Sequence, residues 1–124
     1  VEHRVPLSKR ALAILKLVQP FSSETHVFPG GKKDKPLSNM AMSMLLRRMG
    51  YDAITVHGFR STFRNWAGEQ TNYPFEVCEQ ALAHRLPDAV AAAYLRSDFF
   101  ERRASLLADW ATYCQSKCLT STVA

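Results

Sequence analysis

Apolar residues recur along this chain at helical spacing in several short runs, each bounded by turn-forming residues. Leu12, Leu15 and Val18 follow Ser8, whose hydroxyl suits an N-cap, and Pro20 closes the run. Met42, Leu45, Leu46 and Met49 follow Ser38, a second capping residue, and stop at Gly50, which accepts the backbone of a helix end. A third helix is predicted from about His57 to Gly68. A fourth runs from Pro74, a good first helical position, to about His84. Pro87-Asp88 restarts a short helix through Ala92 to Tyr94. Ser97 or Asp98 caps a last, long helix from about Phe99 to Lys117, with Asp98 and Glu101 at capping-box spacing. Only Val27-Phe28 and Ile54-Val56 read as strands, and Val1 to Pro6 suits the tail of one whose partner precedes this chain. The pattern is mainly α, with little β-strand and no internal repeat.

Two segments add to this picture. Pro29 to Pro36 holds Lys32, Lys33 and Lys35 among glycines and prolines, so it reads as an exposed basic loop. The last helix carries one apolar row of Phe100, Ala104, Leu107, Ala111, Cys114 and Cys118. Phe99, Leu106, Trp110 and Tyr113 lie beside it, a stripe too wide for a helix half in water.

The chain has 124 residues, 47% of them hydrophobic, which fits one globular domain or a large piece of one. It opens on Val1 and reads as a piece of a longer protein. A net charge of +5 favours a polyanionic partner, because Lys and Arg that neutralise phosphates release counterions. The three cysteines, Cys78, Cys114 and Cys118, include no Cys-x-x-Cys pair, which speaks against a disulfide framework and a zinc site. Cys114 and Cys118 read as packing residues, and a reducing cytoplasm fits. No apolar run approaches the roughly 18 residues of a membrane span, and no secretory signal opens the chain.

The chemistry concentrates between Thr55 and Asp98. It takes the order His57-Gly58-Phe59-Arg60, then Ala81-Leu82-Ala83-His84, then Ala93-Tyr94-Leu95-Arg96. At 100° per residue, Phe59, Phe63, Trp66 and Ala67 share a core-facing arc, and His57, Arg60 and Arg64 share the adjoining one. Cations side by side over an aromatic base suit a phosphate. Arg60 can grip two nonbridging oxygens with its planar fork, and His57 and His84 can add donors. Tyr94 then supplies a nucleophile whose phosphotyrosyl ester conserves the energy of the diester, so rejoining needs neither ATP nor a metal.

Each residue also has a structural explanation. His57 can cap its helix, Arg60 can pair with Glu69 or Asp88, and His84 can satisfy last-turn carbonyls. Tyr51, Tyr73 and Tyr113 read as packing residues. Arg64, Arg96, Lys32, Lys33 and Lys35 read as contacts to a DNA backbone or as ordinary surface cations.

His57-Gly58-Phe59-Arg60-Ser61-Thr62-Phe63-Arg64-Asn65-Trp66-Ala67 resembles the His-x-x-Arg box of the satellite-phage-type integrases, which are tyrosine recombinases. Glu79-Gln80-Ala81-Leu82-Ala83-His84 resembles their next histidine box. Ala92-Ala93-Tyr94-Leu95-Arg96-Ser97-Asp98 resembles their nucleophile box, and Phe100-Glu101-Arg102-Arg103 also fits. Val5-Pro6-Leu7-Ser8 and Val27-Phe28-Pro29 match milder upstream landmarks, so the resemblance covers nearly the whole chain to about Cys118.

The resemblance implies the tyrosine recombinase (DNA breaking-rejoining enzyme) catalytic-domain fold, with residues 1–124 as a single-domain fragment truncated at its N-terminal side. It implies site-specific DNA integration through a 3′-phosphotyrosyl intermediate, with Tyr94, Arg60, His57 and His84 in the site. The implied partners are double-stranded DNA at attachment sites and other recombinase protomers; the wide apolar stripe of the last helix docks onto its own domain or, in part, onto a neighbouring protomer, and no cofactor, metal or membrane is involved. The implied place is the bacterial cytoplasm. The family's first arginine and its general-acid lysine would precede Val1, which implies that this piece alone is inactive. Two other readings stand beside it: a non-catalytic DNA-binding remnant of an integrase, and a relaxing topoisomerase of similar chemistry.

Overall fold

A computed structural model describes residues 2–86, 88–89 and 97–116. The regular structure among them is helical: α1 (Lys9–Val18), α2 (Ala41–Arg48), α3 (Gly58–Gln70), α4 (Phe75–Ala81) and α5 (Phe100–Gln115). A single 3-10 turn, Gln19–Phe21, holds Pro20 and follows α1 directly.

The helix ends show why the chain breaks where it does. Ser8 Oγ accepts the Ala11 N–H at 3.1 Å and caps α1 as its position predicts. Ser38 does not cap α2 with its side chain. The helix begins later, with Met40 at the N-cap, and the Ser38 carbonyl takes the Ala41 N–H at 3.1 Å. Gly50 ends α2 at φ +84, where the Gly50 N–H reaches the Arg47 carbonyl and the Tyr51 N–H reaches that of Leu46. That pair of bonds is a Schellman motif, and it needs the left-handed residue that glycine supplies. α4 stops at Ala81, three residues short of the expected His84.

Neither expected strand forms. Val27 and Phe28 lie in a bend beside an isolated antiparallel bridge between Pro29 and Pro36. Proline has no N–H to donate, so a ladder cannot grow through either residue. The Gly30 N–H closes the loop on the Lys35 carbonyl at 2.7 Å. A Cβ at Gly30 would stand 2.3 Å from the Pro36 oxygen, so no larger residue fits without a shift. Ile54-Val56 instead forms the turn into α3, in which Thr55 Oγ1 accepts the Gly58 N–H at 3.0 Å.

The core joins α3, α4 and α5. Phe63, Trp66 and Ala67 from α3 meet Val77 and Cys78 from α4 and Leu106 from α5. Trp110 packs edge-on to Phe63, with centroids 5.3 Å apart, and Tyr113 stacks on Trp110 at 5.6 Å. Phe59, expected in this face, is 53% exposed, because the buried arc of α3 begins one turn later at Phe63. On α5 the buried edge is Arg103 and Leu106. The expected row of Phe100, Ala104, Leu107 and Ala111 is only half-buried, Cys114 is exposed, and Cys118 lies outside the described residues. Leu107, Ala111 and Cys114 line an apolar groove of about 310 Å³ with Pro6, Ala11 and Ile14.

Arg103 is 1% exposed and ties the first residues to the start of α5. Its Nε donates to the Asp98 carbonyl at 2.7 Å and its Nη1 to the Arg4 carbonyl at 2.6 Å. Arg4 in turn donates from Nη2 to Asp98 Oδ2 at 2.7 Å and lies over the Phe100 ring. The predicted capping box does not form. Asp98 Oδ1 accepts the Phe100 N–H, two residues on, because Phe99 adopts a left-handed conformation at φ +52 before the helix begins. Among the described residues no helix is long and apolar enough to cross a membrane.

Candidate functional site

His57 stands at the N-cap of α3, exposed and without a side-chain capping bond. Arg60 follows on the first turn and Arg64 on the next. The end of α4 reaches them from the other side. Leu82 is its C-cap, and Ala83 is left-handed at φ +55. The Ala83 N–H bonds the Gln80 carbonyl at 3.1 Å, and the His84 N–H bonds that of Glu79 at 3.0 Å. This is again a Schellman turn, and it folds His84 back over the helix that precedes it.

Two contacts join these elements. Arg60 Nη2 donates to the Leu82 carbonyl at 2.6 Å, in place of a bond to Glu69 or Asp88. Glu79 bridges α3 to the turn: Oε1 accepts from Arg64 Nε at 2.5 Å, and Oε2 lies 2.7 Å from His84 Nδ1. Arg64 also lies over the Phe75 ring, 5.0 Å from its centroid. Arg64 is therefore committed to Glu79, with 26% of its side chain exposed. Burial acts to raise the Glu79 pKa. The hydrogen bonds from Arg64 and His84 outweigh it and hold this carboxyl below its usual range.

The structure thus brings Arg60, Arg64, Glu79 and His84 to one edge of the α3–α4 pair. His84 is 41% exposed there. Tyr94, Arg96 and the expected short helix through Ala92 to Tyr94 lie outside the described residues. Lys32, Lys33 and Lys35 are exposed on the Pro29–Pro36 loop. Lys32 and Lys33 help to line an open polar concavity of about 470 Å³ with Ser23 and Glu24. Tyr73 donates its hydroxyl to Asp109 Oδ2 at 2.6 Å, and Tyr51 is exposed rather than packed. Among the described residues no group of three or more His, Cys, Asp or Glu side chains gathers as a metal site.

Sequence reasoning gave Glu79 and Arg103 no role of their own. Glu79 stands five residues before His84, which is not a same-face helical spacing; only the left-handed turn at Ala83 brings the pair together. Arg103 did leave a signal, since it lies three residues before Leu106 on the core side of α5.

The left-handed Ala83 permits a direct check. An L-residue in that conformation costs about 1–2 kcal/mol, and glycine returns about 0.4–1 kcal/mol of unfolded-state entropy. Ala83→Gly is expected to stabilise the chain by roughly 0.5–1 kcal/mol, read as a higher urea midpoint at unchanged slope. A lower midpoint would contradict the turn.

No family model matches this chain, and no solved structure matches it. Several curated proteins do. Prophage integrase IntA of Escherichia coli K12 is 37% identical over 113 residues, covering 89% of this chain and 27% of that protein. Prophage integrase IntZ of the same strain is 35% identical over 113 residues, covering 88% and 27%. The integrase of Enterobacteria phage P4 is 33% identical over 118 residues, covering 90% and 27%. The chain spans about a quarter of the length of the curated relatives it matches.

Proposed function

This chain is a homologue of a segment of the phage and prophage integrases, and we propose that it is the C-terminal catalytic portion of a tyrosine recombinase. In this reading residues 1–124 belong to a DNA breaking-rejoining catalytic domain, and the whole protein integrates DNA at attachment sites in the bacterial cytoplasm. The Tyr94 hydroxyl attacks the scissile phosphorus. A phosphorus–oxygen bond to the tyrosine forms as its hydroxyl proton is lost, the bond to the 5′ oxygen breaks as that oxygen takes up a proton and leaves as a hydroxyl, and the 3′ end is left on the protein. The 5′ hydroxyl of a partner strand then reverses the step and releases the tyrosine. Bond energy is conserved, so no cofactor is consumed.

Arg60 grips the nonbridging oxygens of the scissile phosphate, where charge accumulates in the pentacoordinate state. His57 and His84 add donors to the same group. Arg96, Lys32, Lys33 and Lys35 bind backbone phosphates, which makes affinity fall with salt. Arg64, bonded to Glu79 through Nε, joins them as a candidate for the same role. Other protomers bound at the attachment sites cleave the partner strands, whose freed 5′ hydroxyls complete the exchange.

One observation supports this reading above the rest. Arg60 and His84 come from boxes far apart in sequence, yet Arg60 bonds the carbonyl of Leu82, two residues before His84. A DNA-binding module without catalysis has no need of that junction. The test offers the full encoded protein a nicked DNA substrate on which cleavage traps the enzyme. An adduct that survives denaturation and maps to the peptide carrying Tyr94 is expected. DNA binding without an adduct on any attachment-type site would make the chain a binding remnant.

A further inference from the structure

Glu79 holds His84 at two points. Its backbone carbonyl accepts the His84 N–H at 3.0 Å, and its carboxylate meets His84 Nδ1 at 2.7 Å. A carboxylate only accepts hydrogen bonds, so the nitrogen that faces it must carry the proton. Arg64 occupies the other carboxylate oxygen at 2.5 Å, which keeps the group ionised and stops it from turning away. The imidazole is therefore fixed in both orientation and tautomer.

We infer that Glu79 is a positioning residue that keeps the proton of His84 on Nδ1, so that Nε2 is its working atom and donates only when the ring is protonated. The inference rests on the reading of His84 as part of a recombinase site. A neutral His84 held in this way presents a bare Nε2, which can take a proton but cannot give one. Donation to a phosphate oxygen then requires the imidazolium, with Glu79 holding the second proton. Among the described residues, the charged groups on the elements that meet at the ring are Glu79 from α4, Arg60 and Arg64 from α3, and Arg85 next in the chain. Among the described residues only Glu79 bonds the imidazole, through Nδ1.

Glu79→Gln separates this role from simple packing. A glutamine amide can either accept from Nδ1–H or donate to a bare Nδ1, so it permits both tautomers. The first measurement is imidazole nitrogen NMR of the 124-residue chain at a pH where His84 is neutral. Wild type is expected to carry its proton on Nδ1, and the Glu79→Gln chain is expected to show a mixture or the Nε2–H form. An Nε2–H tautomer in wild type overturns the inference, and that result needs no variant to fold.

The second measurement is adduct formation by the full protein as a function of pH. Toward alkaline pH the wild-type rate is expected to fall, because a deprotonated His84 held with its proton on Nδ1 cannot donate. In Glu79→Gln that alkaline limb flattens, since neutral His84 can then carry its proton on Nε2. Identical limbs in the two proteins overturn the positioning role. Absence of any wild-type adduct would instead remove the recombinase reading, while the NMR result would still decide how Glu79 holds the ring.

Discussion

Tyr94→Phe is expected to abolish the denaturation-resistant protein–DNA adduct while leaving DNA affinity unchanged. The substitution removes one oxygen and keeps the ring, so it deletes the nucleophile without deleting the phosphate donors. Removal of a nucleophile from a covalent enzyme costs on the order of 10⁵ to 10⁶ in rate, and no other residue can restore the same ester. The other tyrosines supply the controls. Tyr73 is pushed up to about 12, first by burial and then by its hydrogen bond to Asp109, which makes its hydroxyl harder to ionise than a free phenol. Tyr113 stacks on Trp110 and touches Trp66 at a tilt. Tyr73→Phe therefore leaves the adduct intact. An adduct that persists in Tyr94→Phe would move the nucleophile elsewhere. Loss of DNA binding together with the adduct would point to a structural tyrosine.

The features legible in the sequence were those set by local pattern. Ser8 and Gly50 mark helix ends because a hydroxyl and an unsubstituted Cα act on their own backbone, with no help from tertiary structure. The α3 face was read correctly at Phe63, Trp66 and Ala67, since helical period fixes which residues share a side. Period does not say where along a helix its neighbours begin, and so Phe59 was placed inside and is exposed. The expected strand at Val27-Phe28 failed for a related reason. Short β-rich runs need a partner with free N–H groups, and the Pro29–Pro36 bridge offers none beyond itself. In the candidate site, the order of the boxes singled out Arg60 and His84, which the fold brings to one edge of the α3–α4 pair. The Glu79 bridge depended on a left-handed alanine, a conformation that alanine's own preferences argue against.

Arg103→Ala is expected to cost roughly 3 kcal/mol of stability, the largest structural effect of any single change considered for this chain. The guanidinium is buried and donates to two backbone carbonyls, those of Arg4 and Asp98. Truncation breaks both of these part-buried bonds and empties the space that the buried guanidinium fills. The Asp98 carboxylate adds less, because it is exposed and water can take the place of its 3.4 Å contact with Arg103 Nη2. Burial lowers the Arg103 pKa against the raising influence of Asp98, which is the mark of a charge kept inside by its partners. Arg103→Lys is expected to cost less than alanine, since an ammonium can reach one of the two carbonyls. The hydrogen bond from Arg4 holds the Asp98 carboxyl below its usual range. Its contribution to stability is therefore fully present above the unfolded carboxylate pKa, about 3.9, and is lost as pH falls through the lower folded value. Urea unfolding of the 124-residue chain measures each effect. A midpoint in Arg103→Ala no lower than that of an exposed Arg→Ala control such as Arg102→Ala would mean that the latch contributes nothing. Asp98 follows Tyr94 by only four positions in sequence, so the same latch anchors the chain just beyond the proposed nucleophile. Loss of Arg103 is accordingly expected to slow adduct formation by the full protein even at temperatures where the variant remains folded.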